Sequence, residues 1–92
     1  MAVLDHASPY RQSASDANGK KTMKFGWLTL ALSPNPDEDA VRIDEQIAQV
    51  CAAEALGFSD VWLTEHYFTG ESVYNDALLF ASALTMRTSR IR

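Results

Sequence analysis

The residues best suited to chemistry in this chain stand in a row: Glu65, His66, Tyr67 and Phe68. A histidine exchanges a proton near neutral pH, so His66 is a candidate general acid or base. Adjacent side chains on an extended backbone project to opposite sides. Glu65 and His66 therefore need not share a site: one can line a pocket while the other braces a neighbouring element. Tyr67 and Phe68 are suited to wall an apolar pocket. A lone histidine here is also what a hydrogen-bonded structural histidine looks like, and spacing alone does not separate the two. Asp76 is a second carboxylate, but nothing in the spacing brings it to Glu65 as a glycosidase pair would require. The same holds for a metal site built from Glu65, His66 and Asp76.

Other chemistries lack their motifs. The chain contains no G-x-G-x-x-G, no Walker lysine loop, no G-x-S-x-G and no H-E-x-x-H. A single cysteine, Cys51, excludes an internal disulfide framework and a multi-cysteine zinc site. No cationic neighbour is evident to activate it, so Cys51 reads as a small core-facing residue. Eight basic against twelve acidic residues give a net charge of −4, the wrong sign for meeting phosphates, so no nucleic-acid partner is expected. Ten of the acidic side chains lie between Asp37 and Asp76, with Arg42 the one basic residue among them. That stretch reads as solvated surface. No apolar run reaches the ~18 residues of a membrane span, so no membrane partner is expected either.

The elements that must position His66 follow from patterning. Residues 1–22 are rich in Ala, Ser, Asp and Asn, show no sustained period, and read as a disordered tail. The alternative to a tail is a start site at Met23, which opens the first strand. The tail has no signal-peptide core, and with one unpaired cysteine the expected compartment is the cytoplasm. Lys24 to Ala31 is a near-continuous apolar run, which predicts a strand buried on both faces. Asn35, Pro36 and Glu38 predict a helix start with an N-cap, a first-turn proline and a capping-box partner. The helix should run from about Asp37 to Leu56, with Ile43, Ile47, Val50 and Cys51 as its apolar stripe. Gly57 suits the left-handed residue after it, with Phe58 folding back on the last turn. Asp60 to Thr64 reads as a second strand, followed by a loop. A second helix, capped by Asn75 or Asp76, should run to about Thr88. Ala77 to Met86 is apolar almost all round, which predicts burial on more than one side. Arg90, Ile91 and Arg92 look like the start of a third strand.

This β-α-β-α order predicts an α/β fold with parallel strands and right-handed crossovers. Two and a half strands finish neither a doubly wound sheet nor a closed (β/α)8 barrel, which takes roughly 250 residues, so the expectation is the front end of something larger. Sites in such folds form at the carboxyl ends of the strands, which is where Glu65 and His66 follow the second strand.

Three stretches together resemble the bacterial luciferase-like, flavin-dependent monooxygenase family: residues 23–30 (MKFGWLTL), 53–68 (AEALGFSDVWLTEHYF) and 87–92 (RTSRIR). The resemblance covers residues 23–92 and implies a partial TIM-barrel domain. It implies reduced flavin mononucleotide as cofactor, or a deazaflavin, with O2 and a small organic substrate such as an aldehyde, alkane, sulfonate or amine chelator. His66 matches the first histidine of the family's E-H-H-F motif and by resemblance is the catalytic acid/base. Glu65 matches the glutamate before it. Tyr67 stands where luciferases proper carry a second histidine, which favours a generic member over a light-emitting one. The resemblance sets Trp27 on the first strand near the pocket, whereas Trp62 should pack against helices. It also implies a homodimer through the helix Ala77–Met86, the alternative being burial of that helix against the barrel. The competing functional reading is a truncated, non-catalytic fragment that only associates with a barrel partner.

Overall fold

The structure is a computed structural model that describes residues 17–67, 73, 74 and 76–92. The expectations for residues 1–16, Phe68 and Asn75 lie outside the described residues, and residues 17–22 are exposed. From there the order is β1 (Gly26–Thr29), a 3-10 turn (Pro36–Glu38), α1 (Asp39–Ala55), β2 (Asp60–Leu63) and α2 (Ala77–Thr85). β1 and β2 pair in parallel, with Gly26 opposite Asp60 and Thr29 opposite Leu63. A parallel pair needs a crossover, and α1 is that crossover.

β1 is shorter than the apolar run that predicts it. Its ladder ends at Thr29, and Ala31 turns out of the extended region at φ 48°. An L-residue there is strained by about 1–3 kcal/mol. Ala31 is held in place by burial and by its carbonyl, which accepts the Val73 amide at 3.0 Å.

α1 begins as its sequence dictates. The Asn35 side chain accepts the Asp37 amide at 3.1 Å and donates to Glu38 Oε1 at 2.9 Å. The reciprocal partner of Glu38 is thus the Asn35 side chain, not the Asn35 backbone of a standard capping box. Glu38 and Glu45 also flank Arg42. Its hydrogen bonds to Glu45 and then Glu38 raise the Arg42 pKa, and the Arg42 bond in turn lowers that of Glu38. α1 ends in a Schellman motif: the Gly57 amide bonds the Glu54 carbonyl at 3.1 Å and the Phe58 amide bonds that of Ala53 at 3.0 Å. Gly57 has φ 93°, a conformation that disfavours a Cβ.

One face of the sheet is covered. Val50 of α1 and Phe80 and Leu84 of α2 are buried against each other, with Ile43, Ile47, Trp27, Val61, Leu63, Tyr74 and Ile91 packed around them. Cys51 is only partly buried, its thiol 3.7 Å from the Arg87 carbonyl, because Ala53 rather than Cys51 continues the buried side of the helix. The opposite face of the sheet is open, and Leu28 and Trp62 stand 58% and 60% exposed on it. The predicted two-sided burial of β1 is therefore one-sided here: Thr29 is buried and its neighbours Leu28 and Leu30 are exposed.

The same correction applies to α2. Phe80 and Leu84 face the core while Leu78, Leu79 and Met86 are largely exposed, because the helix meets the sheet on one side only. It also ends earlier than expected. The Leu84 carbonyl accepts from the Arg87 amide (2.9 Å), the Thr88 amide (3.0 Å) and the Thr88 hydroxyl (2.8 Å), which closes the last turn.

Beyond α2 the chain returns to the sheet. The Arg92 amide donates to the Ser59 carbonyl at 3.0 Å, and the Val61 amide donates to the Arg92 carbonyl at 2.7 Å. This is the pattern of a parallel ladder on the second edge of β2. Arg90–Arg92 do not form the expected third strand among the described residues: the sheet has two strands, in the order β1-β2, with both helices on one face.

Candidate functional site

The carboxyl ends of β1 and β2 bring together Thr29, Ala31, Thr64, Glu65, His66 and Tyr67. Buried Thr29 bonds Gln46 of α1 through its hydroxyl, and its carbonyl accepts the Thr64 hydroxyl at 3.2 Å. The Tyr74 ring stacks on Phe80 with centroids 4.5 Å apart, and its hydroxyl is directed at Thr29 and Thr64. Burial raises the Tyr74 pKa, and the neighbouring Thr29 and Thr64 oppose that shift. This edge is thus closed from the helix side by hydroxyl groups and one aromatic ring.

Glu65 is committed to α2. Its Oε1 accepts the Ala77 amide at 2.9 Å, and its Oε2 accepts the Tyr67 hydroxyl at 3.1 Å. The hydrogen bond to Glu65 raises the Tyr67 pKa, so the phenol stays protonated. Asp76 caps the same helix, its Oδ1 accepting the Leu79 amide at 3.0 Å. The two carboxylates that spacing could not relate thus meet at one helix end. There they satisfy backbone amides that the helix leaves unpaired and place negative charge at the positive end of its dipole.

His66 lies between Glu65 and Tyr67, is exposed, and makes no hydrogen bond or ion pair with another described residue. Trp27 lies elsewhere. Its ring packs with the Val50, Phe80 and Leu84 cluster and edge-on against Phe58, with centroids 6.2 Å apart. Its Nε1 is buried without a hydrogen-bond partner among the described residues. Trp62, expected against the helices, is instead the exposed indole of the open face. Strand parity is the reason: Trp27 shares the face of Thr29, and Trp62 pairs with outward Leu28.

Neither of two surface hollows is lined by His66. One, of about 460 Å³, runs between β1 and α1 past Leu30, Pro34, Arg42, Glu45 and Gln49. The other, of about 300 Å³, lies at the amino end of the sheet among Lys24, Glu54, Asp60, Arg90 and Arg92. Among the described residues no cluster of three His, Cys, Asp or Glu side chains is placed to hold a metal ion.

Sequence reasoning assigned no role to Glu54. Its carboxylate accepts the amides of Ser89 (3.0 Å), Arg90 (2.7 Å) and Ile91 (2.8 Å). Those bonds, that of Ile91 first, lower its pKa to about 2. No local pattern marks this role, because the partners lie more than thirty positions away.

A parallel, sequentially ordered β-α-β-α unit, with helices on one face and a histidine just past a strand's carboxyl end, belongs to the α/β class whose sites form at that edge. The family is narrower. Residues 23–92 match the family model described as luciferase-like monooxygenase, and the chain belongs to that family of flavin-dependent oxidoreductases. No curated protein and no solved structure matches the chain. Among the described residues no helix is long and apolar enough to cross a membrane.

Proposed function

We propose that this chain forms the His66-bearing part of a flavin-dependent monooxygenase acting on a small organic substrate with O2. The supporting observation is the family match over residues 23–92 together with His66 at the carboxyl end of β2, clear of the carboxylate beside it. On this reading the two β-α units open a (β/α)8 barrel. The exposed apolar side chains of Leu28, Leu30 and Trp62 then face its interior, and further strands continue the sheet beyond β1 and β2.

The described residues fit one end of a flavin. Leu28, Leu30 and Trp62 offer an apolar surface for a flat ring system, with His66 beyond the strand end. They do not fit the phosphate. Arg42 is engaged by Glu38 and Glu45, and Arg90 and Arg92 stand at the amino end of the sheet. Reduced flavin mononucleotide, or a deazaflavin, would supply the two electrons that reduce O2, one oxygen atom going to the substrate and the other to water. His66 holds or releases a proton at its imidazole, and Tyr67 and Glu65 keep the loop around it in place. The open face of α2, with Leu78, Leu79 and Met86, is the surface through which two copies pair. The single free cysteine suits a reducing cytoplasm.

The test is a fluorescence titration of the 92-residue chain with reduced and oxidised flavin mononucleotide. Saturable micromolar binding that weakens in His66→Ala supports the reading. Absence of binding, or binding indifferent to His66→Ala, overturns it for this chain.

A further inference from the structure

We propose that Glu65 and Tyr67 are positioning residues that fix the backbone presenting His66, and that neither is itself a pocket group. The inference rests on the reading above for what His66 does, and on the following geometry for how it is held.

Glu65 and Tyr67 are bonded to each other, Tyr67 hydroxyl to Glu65 Oε2 at 3.1 Å, so their side chains lie on the same side of the chain. The other oxygen of Glu65 accepts the Ala77 amide at 2.9 Å, so that side faces the start of α2. His66 sits between these two residues, exposed as they are, and shares neither bond. The segment is anchored on both flanks. Before it, the Thr64 hydroxyl bonds the Thr29 carbonyl at 3.2 Å; after it, the Val73 amide bonds the Ala31 carbonyl at 3.0 Å. A carboxylate is suited to this work because its two oxygens bind two partners at once, one on the helix and one on the loop. Both bonds are charge-assisted, which makes them stronger than neutral ones. A histidine that bonds no other described residue relies on its backbone for direction, and Glu65 with Tyr67 supplies that constraint.

The test compares wild type, Glu65→Ala, Glu65→Gln, Tyr67→Phe, His66→Ala and the Glu65→Ala/His66→Ala double variant of the full chain. Glutamine keeps an oxygen for Ala77 and a polar group for Tyr67, so it should stay close to wild type, the lost charge weakening both bonds without breaking them. The backbone 15N order parameter of His66 should be ~0.85 in wild type and Glu65→Gln, below ~0.6 in Glu65→Ala, and between these in Tyr67→Phe. Exchange of the Ala77 amide should accelerate by about tenfold in Glu65→Ala and not in Glu65→Gln. Flavin mononucleotide binding should weaken in Glu65→Ala, and the double variant should bind no worse than His66→Ala, since the effect passes through His66. An unchanged His66 order parameter in Glu65→Ala overturns the proposal. So does additivity of the two substitutions, which would make Glu65 a ligand contact in its own right. If wild type binds no flavin, the functional reading falls while the order parameters still decide the positioning role.

Discussion

The indole of Trp62 reaches across the sheet onto Gly26 of the neighbouring strand, where a Cβ would stand 2.9 Å from Nε1 and 3.1 Å from Cδ1. Trp62 pairs directly with Leu28, so this is a diagonal contact on the open face. The close approach is available because residue 26 has no side chain, and it leaves the ring lying on β1.

Gly26→Ala tests that contact. The indole is 60% exposed and free to swing away, so the clash is relieved by motion of a side chain. Alanine also costs less conformational entropy in a strand than glycine, by roughly 0.5–1 kcal/mol. Stability should change by less than ~1 kcal/mol while the Trp62 indole N–H resonance shifts in a 1H–15N spectrum. An unmoved resonance would refute the contact.

The carboxylate of Glu54 makes acid stability testable. Its folded pKa of about 2 lies below the ordinary 4.5, so its contribution is complete above pH 4.5 and disappears as the pH falls toward 2. Glu54→Gln should flatten the loss of stability across that window in denaturation curves taken at stepped pH. It should also speed amide exchange at Ser89, Arg90 and Ile91. A variant with the wild-type acid slope would remove Glu54 from the account.

Gly57 closes α1 at φ 93°, so Gly57→Ala forces a Cβ into the left-handed region. The expected cost is about 1–2 kcal/mol, read as a lowered urea midpoint with an unchanged slope. Gly57→Asn should cost less, because asparagine tolerates that conformation.

His66 is exposed and makes no bond to a described residue, so His66→Ala should shift stability by no more than ~0.5 kcal/mol. On the proposed function, His66→Ala should lower reduced-flavin-dependent substrate oxidation by about 10²–10⁴-fold. Equal losses of stability and activity would instead make His66 a structural residue.

Leu79 is 72% exposed on the outer side of α2. Leu79→Lys puts a charge there and should convert any dimer to monomer in sedimentation velocity, with no loss of helix content. A wild-type chain that sediments as a monomer at every concentration would remove α2 as the pairing surface.

Local signals carried much of this molecule. Asn35, Pro36 and Gly57 mark the ends of α1 because capping is decided within a few residues, and the observed cap bonds are theirs. The apolar period through Ile43, Ile47 and Val50 and the position of His66 just after a strand were legible for the same reason. Sequence by itself also determined the family, through stretches spread over residues 23–92. What only the tertiary structure decided are relations between distant segments: Trp27 turned to the helices and Trp62 to the open face, Glu65 drawn into the cap of α2, and Glu54 holding the return of the chain at Ser89–Ile91. Those outcomes depend on strand register and on which backbone amides the packed helices leave unpaired. Neither is a property of any short stretch of sequence, because both exist only once the elements have met.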